Sequence, residues 1–201
     1  MKSLKNYVNV IVMKRIFCVF CACISIANAE SVTALKNANN GAFGLLVDGN
    51  LIGSGFIVDP SGYAFTAAHQ VAGETRTLHA QSNVLGRVGL DIIALDRGRD
   101  IALLKLEDRT APYPFLRLAP NQVSLGKPIQ LIATANYRHN LLVHGRVART
   151  QLGFEYFPEL GHYVPITYLA AMVQTGTSGG AWLNTTGKVV GMQVGLMHSG
   201  T

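Results

Sequence analysis

The most prominent candidate for a reactive residue in this 201-residue sequence is a serine inside a glycine-rich segment. The segment GTSGGAW, from Gly176 to Trp182, lies between the apolar runs YLAAMVQ and KVVGMQVG. This position predicts a short loop held between two buried strands. A serine hydroxyl becomes a nucleophile when a base lies within hydrogen-bond reach and a third group orients that base. Ser178 is therefore a candidate nucleophile if other segments supply the base and the orienting group.

Two other segments contain candidates for these groups. His69 stands at the end of the apolar segment GYAFTAAH, where a strand would end, and Asp100 directly precedes the apolar run IALLKL. Side chains from distant segments can converge where strands end at a shared face, so both residues could meet Ser178. Asp91 and Asp96 are rival acids, but each is expected to cap a turn or to stay solvated.

The three segments resemble the signature blocks of a known enzyme family. In chain order, TAAH, DIALL and GTSGGA resemble those of the trypsin-like (chymotrypsin-fold) serine peptidases. The longer stretches GSGFIVDPSGYAFTAAHQV and LDRGRDIALLKL are most similar to the bacterial Deg/HtrA-type protease domain. The similarity covers roughly Gly53 to Gly195 and implies a protease domain without a following PDZ domain.

The resemblance implies a role for each residue of a Ser-His-Asp triad. Ser178 would be the nucleophile, His69 the general base and then the general acid, and Asp100 the group that orients the imidazole. The N–H groups of Gly176 and Ser178 would form the oxyanion hole. Thr177 stands where the animal digestive enzymes have an aspartate that pairs with a newly cut N-terminus. Activation by such a cut is therefore not expected.

The same resemblance implies which residues would bind substrate. Met172 would form the floor of the primary side-chain pocket, and Val194, Gly195 and Leu196 would form a wall that pairs with the substrate backbone. An apolar floor offers no countercharge to lysine or arginine. We therefore expect cleavage after small or medium apolar residues.

The elements that must position these residues are short. From Glu30 onward the sequence has no heptads and no internal repeat, and it consists of apolar runs of four to eight residues between turn signals. Such spacing predicts an all-β sandwich or a pair of barrels. The turn signal DPSG, Asp59 to Gly62, predicts a type I turn and a hairpin between Phe56 and Phe65.

The resemblance sharpens this prediction to two Greek-key antiparallel β-barrels. The proline-containing segment between Pro112 and Pro120 lacks alternation and predicts the connection between them. We expect an N-terminal barrel over residues 30–113 and a C-terminal barrel over residues 114–201. The second barrel is expected to be truncated at the C-terminus, because relatives continue with further strands.

Residues 1–29 have the pattern of a cleaved export signal. Lys2, Lys5, Lys14 and Arg15 precede the apolar run IFCVFCACISIA, and the pattern ends in small residues at Ala29. The run is short for a membrane span. Met13 opens a more compact signal and is an alternative start. The signal predicts a secreted or periplasmic protein with no stable membrane insertion after cleavage.

Removal of residues 1–29 changes the summary properties of the chain. Lysine plus arginine falls from 17 to 13 and aspartate plus glutamate stays at 11, so the net charge falls from +6 to +2. The basic character therefore does not favour a nucleic-acid partner. All three cysteines also leave with the signal, so no disulfides are expected.

The sequence gives no reason to expect a metal or another cofactor. His139 and His144 would point to opposite faces of a strand, and no third ligand of suitable spacing accompanies them. His79, His162 and His198 are expected on the surface or as hydrogen-bonded core residues. The aromatic stretch YFPELGHY, Tyr156 to Tyr163, is either a binding patch or, as we prefer, a mobile loop over the active site.

Two functions are consistent with these features. The first is an exported serine endopeptidase that cleaves polypeptides through an acyl-enzyme. The alternative is a catalytically impaired, truncated relative that acts as a peptide-binding or interaction module. The sequence gives no indication of oligomeric state.

Overall fold

A computed structural model of the chain describes residues 35–73, 77–134 and 141–196. The predicted export signal with its cleavage after Ala29, the alternative start at Met13 and the three cysteines lie outside the described residues. His139 and His198 lie outside them as well. The first described element is a short helix over residues 35–41, which we call α1.

Six antiparallel strands after α1 close into a barrel in the order β1-β2-β3-β6-β5-β4. The strands are β1 (Ala42–Val47), β2 (Asn50–Ile57), β3 (Tyr63–Ala67), β4 (Leu78–Ser82), β5 (Gly86–Asp96) and β6 (Ile101–Leu106). A one-turn helix, α2 (Ala68–Val71), follows β3, and a 3₁₀ turn, Arg97–Arg99, joins β5 to β6. Alternate residues of β6 are fully buried, as expected for a strand with one face in a barrel interior.

The predicted turn at Asp59–Gly62 closes the β2–β3 hairpin. The N–H of Gly62 donates to the carbonyl oxygen of Asp59 at 3.0 Å, and the Asp59 carboxylate accepts from the N–H of Ser61 at 2.8 Å. The strands pair in the register Phe56 to Phe65. The prediction from the DPSG signal is therefore confirmed.

The second half of the described chain contains two smaller sheets. A five-stranded antiparallel sheet has the order β11-β8-β7-β12-β13, and the two-stranded hairpin β9–β10 stands apart from it. The strands are β7 (Pro128–Ala133), β8 (Leu141–Val147), β9 (Gly153–Phe157), β10 (His162–Ile166), β11 (Leu169–Ala171), β12 (Ala181–Leu183) and β13 (Val189–Met192). Over the described residues this half is an open sheet, in agreement with the predicted incomplete second barrel.

An apolar cluster joins the barrel to the five-stranded sheet. Phe56 of β2 packs with Leu116 of the connection and with Ile132 and Leu183 of the sheet, and each of these side chains is buried. Burying a side chain of this size contributes about 1.5–3 kcal/mol. The cluster therefore fixes the end of β12, and the loop that precedes it, against the barrel.

Helices contribute little to the described residues. Within residues 35–73, 77–134 and 141–196, no helix has the length and hydrophobicity needed to cross a membrane. The prediction of an all-β fold is confirmed.

Candidate active site

The pairing of β3 with β6 brings His69 to Asp100. The last residue of β3, Ala67, lies opposite the first residue of β6, Ile101. His69 follows Ala67 by two positions in α2, and Asp100 directly precedes Ile101. Two positions 31 residues apart in the chain are therefore neighbours because one strand ends where its antiparallel partner begins.

Both carboxylate oxygens of Asp100 bind His69. The ring Nδ1 of His69 lies 2.7 Å from Oδ2, and the backbone N–H of His69 donates to Oδ1 at 2.8 Å. The Asp100 side chain is 0% exposed. A carboxylate facing Nδ1 favours the tautomer that carries the proton there and leaves Nε2 as the acceptor. His69 is therefore held in the orientation that a general base requires.

The backbone of Asp100 has an unusual conformation that the preceding turn supports. Its φ and ψ are 56° and 44°, in the left-handed region. Its N–H donates to the carbonyl oxygen of Arg97 at 3.2 Å, and its own carbonyl oxygen accepts from the N–H of Ala68 at 3.1 Å. The carboxylate is thus aimed at α2 by a backbone fixed at both ends.

The rival acids Asp91 and Asp96 take no part in the described hydrogen bonds of His69. Asp91 is exposed on β5. Asp96 caps the 3₁₀ turn, where it accepts from the N–H of Arg99 at 3.0 Å and from its side chain at 2.8 Å. The Arg99 hydrogen bond lowers the pKa of Asp96 below its usual value. The folded state therefore favours the ionised carboxylate, which contributes to the stability of the fold at neutral pH. This contribution is lost as the pH falls through the lowered pKa.

Ser178 lies in the loop that precedes β12, and hydrogen bonds hold the loop backbone. The Ser178 carbonyl oxygen accepts from the N–H of Ser54 in β2 at 2.8 Å and from the Gln70 side chain at 3.1 Å. The N–H of Gly179 donates to the carbonyl oxygen of Gln193 at 2.7 Å. Since Gln70 follows His69 in the chain, these bonds place Ser178 beside the turn that carries His69.

A buried serine completes the attachment of the loop to the barrel. The Ser54 hydroxyl donates to the Thr134 carbonyl oxygen at 3.1 Å and accepts from the Thr134 N–H at 2.7 Å. It also lies 3.4 Å from the carbonyl oxygen of Gly176. Ser54 therefore connects β2, the end of β7 and the Ser178 loop.

The Ser178 hydroxyl has a hydrogen-bond partner other than the imidazole. Its oxygen lies 3.4 Å from the carbonyl oxygen of Val194. Among the hydrogen bonds of the described residues, none joins Ser178 Oγ to the ring of His69. The structure thus brings the two residues to one site but does not join their reacting atoms.

The two predicted oxyanion donors have no hydrogen-bond acceptor within the described part of the chain. The N–H groups of Gly176 and Ser178 donate to no other group there. Gly176 has a φ of 88°, in the region that favours glycine. Each of these N–H groups is therefore free to donate to a ligand, as an oxyanion donor must be.

The predicted substrate-binding residues lie in two different settings. Met172 is 92% exposed, so its side chain is not enclosed as a pocket floor would be. Val194 and Leu196 are half-buried, and Gly195 is exposed. The predicted roles of these four residues stay predictions.

The aromatic stretch from Tyr156 to Tyr163 forms the end of β9, a turn and the start of β10. Its Phe157 ring lies 6.4 Å from the His69 ring, centroid to centroid, and beside Gly195. The ring Nε2 of His162 lies 2.8 Å from the carbonyl oxygen of Arg97. The stretch is therefore a paired hairpin with Phe157 beside His69, where we expected a mobile loop.

Two neighbours of the site were not predicted from the sequence. Gln70 was not singled out, although a glutamine directly after the base is the available signal. Phe157 was noted only as part of an aromatic stretch, and nothing in its spacing indicated contact with His69.

The remaining described histidines lie elsewhere. His79 of β4 is near Arg87, and His144 of β8 is near Gln130. Over the described ranges, no group of three or more histidine, cysteine, aspartate or glutamate side chains could hold a metal ion.

Comparisons with known proteins agree with this architecture. The model of the trypsin-like peptidase domain family matches residues 53–192. A probable periplasmic serine endoprotease, DegP-like, from Chlamydia pneumoniae is 27% identical over 151 residues, which cover 72% of this chain and 29% of that protein. Serine protease HTRA1 of Xenopus laevis is 29% identical over 148 residues, which cover 70% of this chain and 30% of that protein. The chain thus matches less than a third of the length of these relatives.

A solved structure has the same fold. The active form of the Rv3671c protease from M. tuberculosis aligns with a TM-score of 0.70 at 18% identity, covering 82% of this chain and 74% of that one. The chain belongs to the trypsin-like peptidase domain family, whose relatives named above are serine proteases of the HtrA and DegP type. The family resemblance inferred from the three sequence blocks is confirmed.

Proposed function

We propose that this protein is an exported serine endopeptidase. Ser178 acts as nucleophile, His69 as general base and then general acid, and Asp100 orients His69. The observation that carries the proposal is the binding of His69 by both oxygens of a buried Asp100, beside the Ser178 loop. Membership of the trypsin-like peptidase family supports the same assignment.

The chemistry begins when the Ser178 hydroxyl turns from Val194 toward Nε2 of His69. Catalytic hydrogen bonds are often long or misaligned before substrate binds, so a rotation about the serine side chain is an ordinary requirement. As Ser178 Oγ bonds to the substrate carbonyl carbon, its proton passes to Nε2. Asp100 stabilises the imidazolium that forms without taking its proton.

The oxyanion of the tetrahedral intermediate accepts hydrogen bonds from the N–H groups of Gly176 and Ser178. The loss of one such donor typically costs about 3 kcal/mol of transition-state stabilisation. The C–N bond of the substrate then breaks, and His69 gives its proton to the departing amine. Water, deprotonated by His69, then attacks the acyl carbon. The bond from this carbon to Ser178 Oγ breaks as His69 returns the proton to Oγ, which releases the acid product and restores the Ser178 hydroxyl.

The substrate is a polypeptide cleaved after a small or medium apolar residue. Val194, Gly195 and Leu196 pair with its backbone, and Met172 meets the side chain that precedes the cleaved bond. The Ser178 hydroxyl already lies near the Val194 carbonyl oxygen, which supports a substrate path along this segment. The site lies between an N-terminal unit over residues 30–113 and a C-terminal unit over residues 114–201.

Export to the periplasm or the cell exterior accords with the signal pattern of residues 1–29. The DegP-like relative from Chlamydia pneumoniae is described as periplasmic, which supports the same location. No cofactor enters the proposed reaction, because every proton transfer is assigned to a side chain.

A second candidate function is a peptide-binding module with impaired catalysis. The hydrogen bonding of Ser178 favours it, because the partner of the hydroxyl is the Val194 carbonyl oxygen and not His69. Such a module would bind a peptide along the same segment without cleaving it.

A fluorophosphonate probe distinguishes the two functions, because it labels only a serine that a base activates. We expect the wild-type protein to be labelled at Ser178 and the Ser178→Ala variant to remain unlabelled. Both samples should give the same β-rich circular dichroism spectrum, which controls for folding. A folded wild-type protein that the probe does not label would exclude an activated Ser178 and favour the binding module.

A further inference from the structure

The buried side chain of Gln70 has no part in the proposed reaction, although it lies between the base and the nucleophile. Gln70 directly follows His69 in α2 and is 7% exposed. Its Nε2 donates to the Ser178 carbonyl oxygen at 3.1 Å and lies 3.5 Å from the carbonyl oxygen of Ile52. Its Oε1 lies 3.0 Å from the Thr66 hydroxyl.

These neighbours fix which way the amide faces. Nε2 meets two carbonyl oxygens, from Ser178 and Ile52, so a reversed amide would place its own oxygen against both. The Thr66 hydroxyl shares its single hydrogen between Gln70 Oε1 and the carbonyl oxygen of Ser54 at 2.7 Å. Gln70 thus donates to the nucleophile loop from a buried position, where an unmade hydrogen bond is costly.

A glycine in β2 leaves the space that the amide occupies. A Cβ atom at Gly53 would lie 1.8 Å from Gln70 Nε2, and the three nearest atoms to it all belong to Gln70. A side chain at position 53 would therefore force the amide away from Ser178. The glycine at position 53 of β2 is therefore matched to the glutamine that follows His69.

The Ser178 carbonyl oxygen accepts two hydrogen bonds, and they come from different parts of the barrel. The N–H of Ser54 supplies one from β2, and Gln70 supplies the other from α2. The Ser178–Gly179 peptide plane follows this carbonyl, so Gln70 influences the position of Ser178 relative to His69. A misplacement of about 1 Å can lower a rate about 100-fold.

We propose that Gln70 is a positioning residue that links the turn carrying His69 to the Ser178 loop and holds the Ser178 backbone beside His69. The proposal rests on the proposed peptidase function. Gln70 does not touch substrate. Its effect acts through the backbone of Ser178.

The first test compares fluorophosphonate labelling and peptide hydrolysis in the wild type and in Gln70→Met, which keeps the length of the side chain without its donor. We expect the labelling rate and kcat to fall about tenfold to 100-fold while KM stays within about twofold. Gln81→Met is the matched control, because Gln81 is exposed on β4, and it should behave as wild type. All rates are measured well below the unfolding temperature of each variant.

The second test asks whether Gly53 acts through Gln70. Gly53→Ala alone should lower the labelling rate, because the new Cβ displaces the amide. In Gln70→Ala the space that the amide fills beside Gly53 is empty, so adding Gly53→Ala should lower the labelling rate little further. Losses that multiply in the double variant would show that Gly53 acts independently and would overturn this part of the argument.

Hydrogen exchange separates a failure of this proposal from a failure of the peptidase function. The N–H groups of Gly179 and Gly180 are hydrogen-bonded in the native loop, and we expect them to exchange faster in Gln70→Met than in wild type. A labelled wild type with an equally labelled Gln70→Met overturns the role of Gln70 and leaves the peptidase function standing. If the wild type is not labelled, the peptidase function fails. Equal exchange rates at Gly179 and Gly180 in the wild type and in Gln70→Met would then overturn the positioning role as well.

Discussion

At the scale of single residues, the site depends on a buried carboxylate that is hydrogen-bonded on both oxygens. Burying Asp100 without partners would be costly, and the ring and backbone N–H groups of His69 offset that cost. The same two bonds fix the ring orientation. The two hydrogen bonds that compensate for burying Asp100 are therefore the same two that fix His69 in the orientation the proposed base requires.

Replacing Asp100 by asparagine should test this coupling. Asparagine has nearly the same size but can present an N–H to Nδ1, which favours the opposite tautomer and leaves Nε2 without a lone pair. We expect kcat for peptide hydrolysis to fall about 10⁴-fold with a much smaller change in KM. Asp96→Asn is the control, because Asp96 caps an exposed turn away from the ring. A loss of less than tenfold in Asp100→Asn would remove Asp100 from the proposed triad.

The contact between His69 and Asp100 could be predicted from the sequence, whereas two neighbours of the candidate site could not. His69 and Asp100 were predicted from apolar runs that end or begin at them, and the structure places them in contact. Gln70 lies 108 positions from Ser178, and its contact depends on the empty space at Gly53. A space of this kind is a property of the packed structure, and local sequence does not encode it.

At the scale of elements, the Ser178 loop requires glycine for two separate reasons. Gly179 has a φ of 82°, which is unfavourable for other residues. A Cβ atom there would lie 2.0 Å from the backbone carbonyl oxygen of Ser54. Both the conformation of the loop and its close approach to β2 therefore exclude a side chain.

The Gly179→Ala variant should lose both stability and labelling by the probe. Backbone strain and a clash with backbone atoms together should lower the free energy of unfolding by at least about 2 kcal/mol. Gly126→Ala is a matched control, because Gly126 has a φ of 73° with open space around its Cβ position. It should cost only the strain of about 1 kcal/mol. Equal losses in denaturant titrations of the two variants would contradict the close-packing argument.

The β9–β10 hairpin contacts the candidate site through two of its side chains. Phe157 lies between the His69 ring and Gly195, and His162 attaches the hairpin to the turn that precedes Asp100. Phe154, on the same strand, is 65% exposed and faces away. Phe157 therefore occupies the space beside His69 and Gly195.

Truncating Phe157 should widen the range of accepted substrates. In Phe157→Ala, we expect kcat/KM to rise severalfold for peptides with a bulky residue next to the cleaved bond, relative to matched peptides with a small one. Loss of the ring opens the space beside His69 and Gly195. The Phe154→Ala variant should leave this ratio unchanged. An unchanged ratio in Phe157→Ala would show that the hairpin does not limit the substrate.

At the scale of the whole molecule, the site is assembled from two units. The barrel supplies His69 and Asp100, and the five-stranded sheet supplies the Ser178 loop through β12. The apolar cluster of Phe56, Leu116, Ile132 and Leu183 holds the two together. Ser54 adds hydrogen bonds across the same boundary.

The all-β class and the β2–β3 hairpin could be predicted from short apolar runs and from the DPSG turn. The pairing of the β9–β10 hairpin could not, because Phe154, Tyr156 and Tyr163 put exposed aromatic residues where alternation would place polar ones. The pairing of β7 with β12 joins two segments that are far apart in the chain. Local periodicity does not determine that pairing.

The pH dependence of the acylation rate tests most directly whether an imidazole held by Asp100 activates Ser178. Imidazole changes charge between about pH 5 and 8, and its protonated form cannot accept the Ser178 proton. The rate of fluorophosphonate labelling should therefore rise with pH over this range and then level off. A labelling rate that is flat from about pH 5 to 8 would contradict His69 as the base.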